Sequence, residues 1–385
     1  MDTRFEFATA TRIIFGDGAR RQVGSLAKDF GRRALVVTGR DQTRAKDLTD
    51  HLQQNGIAAI LFSATGEPEI ETIEKGVQTA KNEKCDLVIS LGGGSAIDGG
   101  KAIAAMLTNG GDVLDYLEVI GQGKPLTRPS APFIAIPTTA GTGSEVTRNA
   151  VLSSPAHRVK ASLRSPLMLP RMALVDPELA YDLPPDITAS TGLDALTQLI
   201  EPYVSSRANP MTDALCVEGI PRVARSLRKA FQHGRDTAAR EDMSIASLFG
   251  GLALANAGLG AVHGFAGPIG GMFPAPHGAV CAALLAQVME TNIHALQQRK
   301  PGSDTLARYE EVARLLTGRS DSQAHDGVQW VRDLVSDLRI PRLAKYGITA
   351  SHFTDISQKA THASSMKANP IELTSAELHS ILRAS

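Results

Sequence analysis

The chain has 385 residues, of which 43% are hydrophobic and 21% charged, and its 40 Lys+Arg balance 40 Asp+Glu. At about 150 residues per domain, this length predicts two domains with room for large cores. A formal charge of zero excludes a basic surplus that would attract nucleic acid or an anionic membrane, and an acidic surplus typical of solvating tails.

In chain order, TRIIFGDGARRQVGSLAKDF (11–30) reads as a leading strand and a helix. RALVVTG (33–39) is an apolar run ending in a turn signal. KDLTDHLQQNG (46–56) is a helix with a glycine stop, AAILFSA (58–64) a strand, and residues 70–85 an amphipathic helix. DLVISLGGG (86–94) is a strand running into glycines, and APFIAIPTT (131–139) is another strand. Strand and helix alternating in this way predict an α/β domain over 1–180, with a mostly parallel, doubly wound sheet.

Two loops of this domain carry donors. In CDLVISLGGGSAIDGGK, Gly92, Gly93 and Gly94 allow a tight strand-to-helix turn. Ser95 is the expected N-cap, with Asp98 as its capping-box partner. Free N–H groups and the helix dipole would favour an anion there. A turn without any ligand is the plainer alternative. The spacing departs from G-x-G-x-x-G, because Ile97 stands at the third glycine position. In IPTTAGTGSEVT (136–147), Thr138, Thr139, Thr142 and Ser144 offer hydroxyls among small residues, suiting a pyrophosphate or ribose, although Ser144 and Glu145 could simply begin a helix. Two such loops at the carboxyl ends of neighbouring strands predict one crevice.

Pro177, Pro184 and Pro185 punctuate a connector, and helical periodicity follows, over 187–206, 209–233, 236–257, 280–298, 304–317, 324–338, 350–361 and 374–383. A second, all-α domain is therefore expected over 181–385. Residues 244–273 hold no Asp, Glu, Lys or Arg and are long enough to cross a bilayer. Their eight glycines, with Asn256, His263 and Pro268, instead predict a buried helix followed by a glycine-rich loop. Asp194 and Gln198 stand four apart on one face of a predicted helix. With His263 and His277, each followed by glycine and read as lying in loops, they can be gathered into one site for a divalent cation. The alternative is a set of packing residues and satisfied core histidines. Cys85, Cys216 and Cys281 are sparse, with no CxxC, and fit a reduced cytoplasmic protein; Cys281 reads as a small buried residue. The N-terminus shows no signal-peptide pattern.

GGGSAIDGGK, PTTAGTGSE, GLDALTQ and the VHG…PHG segment, with Asn369-Pro370 near the end, resemble in order and spacing the iron-containing alcohol dehydrogenases of the dehydroquinate synthase-like superfamily. The resemblance implies a dinucleotide-binding domain, a helical metal-bearing domain and an active cleft between them. It implies NAD or NADP over Gly93, Gly94, Ser95 and Asp98, with Thr138, Thr139, Thr142 and Ser144 nearby, Lys160 reaching the cofactor and Leu179 beside the nicotinamide. It implies metal ligation and catalysis by Asp194, His263 and His277, with iron as the expected metal and zinc as the other, and a homodimer or higher homo-oligomer.

Three positions depart from the family pattern. Gln198 replaces the usual fourth ligand, a histidine, with a weaker amide oxygen. Gly267 stands where many members carry another histidine. Gly39, followed by Arg40, replaces an aspartate that would repel a 2′-phosphate, so NADP becomes acceptable. The implied reaction is hydride transfer between NAD(P) and a small alcohol or carbonyl compound. A metal-independent reductase like the maleylacetate reductases, and a nicotinamide-binding subunit without turnover, remain as other readings.

Overall fold

The structure, a computed structural model, describes residues 4–385. It forms two compact units. One comprises residues 8–139 and 143–181; the other comprises 182–385 and the short segments 4–7 and 140–142.

The first unit contains the strands β1 (Arg12–Phe15), β2 (Arg33–Thr38), β3 (Ala58–Ser63), β4 (Leu87–Gly92), β5 (Phe133–Pro137), β6 (Asn149–Ser154), β7 (Val159–Arg164) and β8 (Met172–Val175). Six pair in parallel in the order β1-β8-β5-β4-β2-β3. The strands are continuous apolar runs because both sheet faces are covered. Leu35, Val37, Val88 and Phe133 face one cluster, while Ala34, Val36, Ile89 and Ile134 face the other. Helices α1 (Val23–Ala27), α2 (Lys46–Gln54), α3 (Ile70–Asn82), α4 (Gly94–Asn109) and α5 (Val113–Tyr116) belong to this unit. The doubly wound parallel sheet expected from the strand–helix alternation is present. The switch in strand order falls between β2 and β4, whose carboxyl ends carry Gly39 and Gly92.

The antiparallel hairpin β6–β7 and the short strand β8 were not among the expected elements. The hairpin alternates buried and half-exposed residues around the polar run Ser153–Lys160, which hides its strand period. β8 was read as part of the connector because only four residues precede Asp176-Pro177.

The second unit is helical. It comprises α6 (Pro185–Val204), α7 (Pro210–Gln232), α8 (Thr237–Ala257), α9 (Ala261–Met272), α10 (His277–Arg299), α11 (Asp304–Thr317), α12 (Ala324–Asp337), α13 (Phe353–His362) and α14 (Ser375–Ala384). The apolar stretch 244–273 is not one segment: α8 and α9 meet at a bend of 98°. Gly258, at φ 74°, makes that turn possible. α10 is apolar and long enough to span a bilayer, yet 72% of its apolar window is buried inside the fold, as a core helix would be.

The glycine-rich loop expected after α8 is a helix. α9 carries Gly264, Gly267, Gly270 and Gly271, which weaken intrinsic helix propensity. Packing outweighs that weakness: a Cβ at Gly264 would come within 2.8 Å of the Met366 terminal methyl and 3.3 Å of its Cβ, so glycine eases the close approach of α9 to its neighbour. His263 therefore sits on a helix, and His277 is the first residue of the next one.

Candidate metal centre and nucleotide loops

α6 positions the first part of the centre. Pro185 occupies its first turn, where a missing N–H costs nothing. Asp194, Gln198 and Glu201 then fall at i, i+4 and i+7, on one buried face. Glu201 was missed by the sequence reading, although an acidic residue in register with Asp194 on so apolar a helix was a usable signal. Its Oε1 accepts the Val262 N–H at 2.7 Å, and its Oε2 accepts the His263 Nδ1–H at 2.6 Å. Asn369 Oδ1 accepts the Ala261 N–H at 3.1 Å. These two side chains satisfy the first free donors of α9 and set its angle. This is also the job of the Asn369-Pro370 segment. A Cβ on Gly260 would lie 2.8 Å from Glu201 Oε1, so the approach requires glycine there.

With Nδ1–H committed to Glu201, His263 turns Nε2 toward the centre, and in the neutral ring that nitrogen is the free donor, the arrangement common for metal-bound imidazole. His263 Nε2 lies 3.4 Å and His277 Nε2 3.8 Å from Asp194 Oδ1. The two rings are 5.4 Å apart between centroids. Cys281, one turn past His277 on α10, brings its Sγ to 3.9 Å from His263 Nε2 and 3.7 Å from His277 Nε2. One donor atom from each of Asp194, His263, His277 and Cys281 falls within 4.8 Å of all the others. Cys281 is thus part of the cluster and not merely a small buried residue with nothing beside it. Its i+4 spacing from His277 was the signal in the sequence.

Asp194 Oδ1 and Gln198 Oε1 are both buried without a hydrogen-bond partner. Such orphaned acceptors are costly unless something electropositive satisfies them. A divalent cation fits the Asp194 oxygen and the adjacent imidazole and thiol donors. Gln198 Oε1 lies toward Gly250 of α8: a methyl group there would stand 3.5 Å from it. Burial alone would raise the Asp194 carboxyl, but the adjacent His263 and the charge of His277 hold it below the usual carboxylate range. Burial would lower His263, but Cys281, Asp194 and Glu201 together keep it well above the usual imidazole value. His277 is likewise raised, with burial opposed chiefly by Cys281 and Asp194. Phe265, two residues past His263, is fully buried in the helical core. A Cβ at Gly267 would meet nothing within 4 Å.

In the α/β unit, the glycine turn behaves differently from its expected capping. The N-cap of α4 is Gly93, not Ser95, and no side chain caps it. Asp98 forms no capping box. Its Oδ2 accepts the Val151 N–H of β6 at 3.0 Å, and its Oδ1 stands 3.7 Å from Lys101 Nζ. Tertiary pairing with the unforeseen hairpin captured the carboxylate. The N–H groups of Gly94 and Ser95 thereby remain available at the helix N-terminus, which suits an anion. Gly93 backs onto Thr139, with 3.3 Å from a would-be Cβ to Oγ1, so close approach of the two loops depends on glycine. Thr138 N–H donates to the Gly92 carbonyl, which places the loops after β4 and β5 side by side.

Lys101 is fully buried, and its Nζ donates to Ser144 O, Thr147 Oγ1 and Asn149 O. Ser144 opens a short 3₁₀ turn after Gly143. Thr142 belongs to the helical unit's 140–142 segment, whose Gly141 backs onto Thr191. Lys160 Nζ pairs with Glu67 at 2.8 Å. Leu179 is half-buried beside the lower core of the sheet. Gly39 has open space at its Cβ position, its carbonyl accepts from Ser63 Oγ at 2.9 Å, and Arg40 is exposed.

Residues 10–177 match the family described as iron-containing alcohol dehydrogenase, and residues 188–385 match its C-terminal domain. Alcohol dehydrogenase 4 of Saccharomyces cerevisiae (strain YJM789) is 35% identical over 377 residues, covering 96% of this chain and 95% of that protein. A crystal structure of 1,3-propanediol oxidoreductase superposes with a TM-score of 0.91 at 32% identity, over 99% of each chain. A sulfoacetaldehyde reductase from Bifidobacterium kashiwanohense, solved in complex with NAD+, superposes with a TM-score of 0.87 at 28% identity, over 99% of this chain and 98% of that one.

Proposed function

The chain belongs to the iron-containing alcohol dehydrogenase family, and we propose that its reaction is carried out around Asp194, His263 and His277. It is an oxidoreductase that passes a hydride between NAD(P) and a small alcohol, aldehyde or ketone, with a divalent metal at the substrate oxygen. The observation that carries the placement is the orphaned Asp194 Oδ1 facing two imidazole nitrogens inside a buried donor cluster.

When bound, the cation supplies Lewis acidity at the substrate oxygen and the nicotinamide carries the hydride. Asp194 contributes a carboxylate held ionised by its neighbours. Glu201 locks the His263 ring and its tautomer. Among Asp194, His263, His277 and Cys281, only His277 reaches solvent, with 34% of its side chain exposed. Gly267 offers no side chain for proton transfer, and open space surrounds its Cβ position.

For the cofactor, Gly93, Gly94 and Ser95 place the pyrophosphate on the uncapped start of α4, and Thr138, Thr139, Thr142 and Ser144 line its path. Asp98 and Lys160 support that wall through Val151 and Glu67. Gly39 and Arg40 admit the 2′-phosphate of NADP, because an open site beside an exposed guanidinium favours that group. The relatives named for alcohols and for 1,3-propanediol support an alcohol or diol as substrate. A reduced cytoplasmic location agrees with three buried free cysteines, and homodimerisation follows the general rule for symmetric soluble enzymes.

The test is a panel of small alcohols and aldehydes, with both nicotinamides and with iron or zinc supplied. Absorbance change at the nicotinamide is expected, larger with NADP. No change with any pair overturns the assignment. Metal-independent reduction is not favoured, because it gives no reason for the donor cluster.

A further inference from the structure

We propose that Cys281, as a thiolate, is a protein ligand of the metal and takes the fourth position that the amide of Gln198 fills poorly. The inference rests on the metal-dependent function proposed above. His277 and Cys281 stand four apart at the start of α10, so one helical face presents both donors. Bonds of about 2.0 Å to nitrogen or oxygen and about 2.3 Å to sulfur space the donors of a tetrahedral site roughly 3.3–3.6 Å apart. The contacts of Sγ with the two imidazoles, at 3.7 and 3.9 Å, and those of Asp194 Oδ1, at 3.4 and 3.8 Å, exceed that spacing by no more than about half an ångström, and all four donor atoms lie within 4.8 Å of one another.

Donor strength favours sulfur over the amide. A thiolate is a stronger, softer donor than an amide carbonyl toward zinc or iron. Gln198 Oε1 is buried without a hydrogen-bond partner and lies toward Gly250, whose missing side chain lets α8 pack directly against Gln198.

Metal-free full-length protein is loaded with cobalt(II), which reports thiolate ligation through a near-ultraviolet charge-transfer band. The expected result is a strong band at one cobalt per chain, abolished by Cys281→Ser. Zinc retention in Cys281→Ser should fall by more than ~100-fold, beyond the roughly 10- to 100-fold that loss of an outer partner costs. Gln198→Ala should keep the band. Gln198→His in the Cys281→Ser background should restore zinc retention without restoring the band. Cobalt bound without the band, or a band that survives Cys281→Ser, overturns the assignment of Cys281 and leaves the metal-dependent function standing. Protein that neither binds cobalt nor turns over nicotinamide overturns both. The unsubstituted protein decides the first point even if Cys281→Ser misfolds.

Discussion

Exchanging Glu201 for Gln keeps the side chain's size but removes the charge that holds His263 through Nδ1. Metal affinity, read by competition with a chelator, should fall roughly 10- to 100-fold; unchanged retention would mean that His263 is oriented by packing alone. Gly39→Asp should shift preference from NADP toward NAD, measured as the ratio of kcat/KM values, because an acid there repels a 2′-phosphate. An unchanged ratio removes Gly39 from cofactor choice. The residues with distinctive neighbours in sequence were legible: Asp194, His263, His277 and the glycine triplet. Glu201 and Cys281 were less so, because a lone acid or thiol on an apolar helix acquires meaning only from the helices packed against it.

Helix α10 starts where His277 must stand, and that start depends on close contact with α6. A Cβ on Gly278 would come within 2.5 Å of the Ser190 carbonyl, a backbone atom that cannot rotate away. Gly278→Ala should therefore cost roughly 1–3 kcal/mol and lower Tm. It should also reduce metal content after dialysis, since the shift displaces His277. A stability loss with full metal retention would show that the centre tolerates the movement. The helices of the second unit were legible from their 3.6-residue period to within a few residues. α9 was not, because its glycines read as a loop until the contact with Met366 shows why small residues stand there. The hairpin β6–β7 was likewise hidden by its polar alternation, and with it the partner that takes Asp98 away from the cap.

Across the molecule, net charge vanishes, yet the α/β unit buries Lys101 and Glu145 fully. Burial lifts the Glu145 carboxyl from the usual 4.5 to about 7. A raised carboxyl favours the protonated fold, so its stabilisation is complete below pH 4.5 and lost as pH rises through about 7. The shift amounts to on the order of 3 kcal/mol. The difference in unfolding free energy between wild type and Glu145→Gln should decline across that window, measured by denaturant titration at several pH values. A flat difference would show that Lys101 keeps Glu145 ionised throughout. Metal should act on the other unit: binding only the folded form, it stabilises by mass action. Chelation should lower the Tm of the helical unit, and an unchanged Tm would argue against a filled centre.

The sequence alone determined the two architectures, since strand and helix periods are local properties of apolar spacing, and it singled out the glycine turns and three of the residues that the fold gathers into the candidate metal cluster. Tertiary structure decided what each polar group does. Asp98 became a brace, Glu201 an orienting partner and Cys281 a neighbour of two imidazoles. The physical reason is that a buried polar atom must be satisfied by whatever packing brings within about 3 Å, and residues 53, 62 and 18 positions apart come together only after folding.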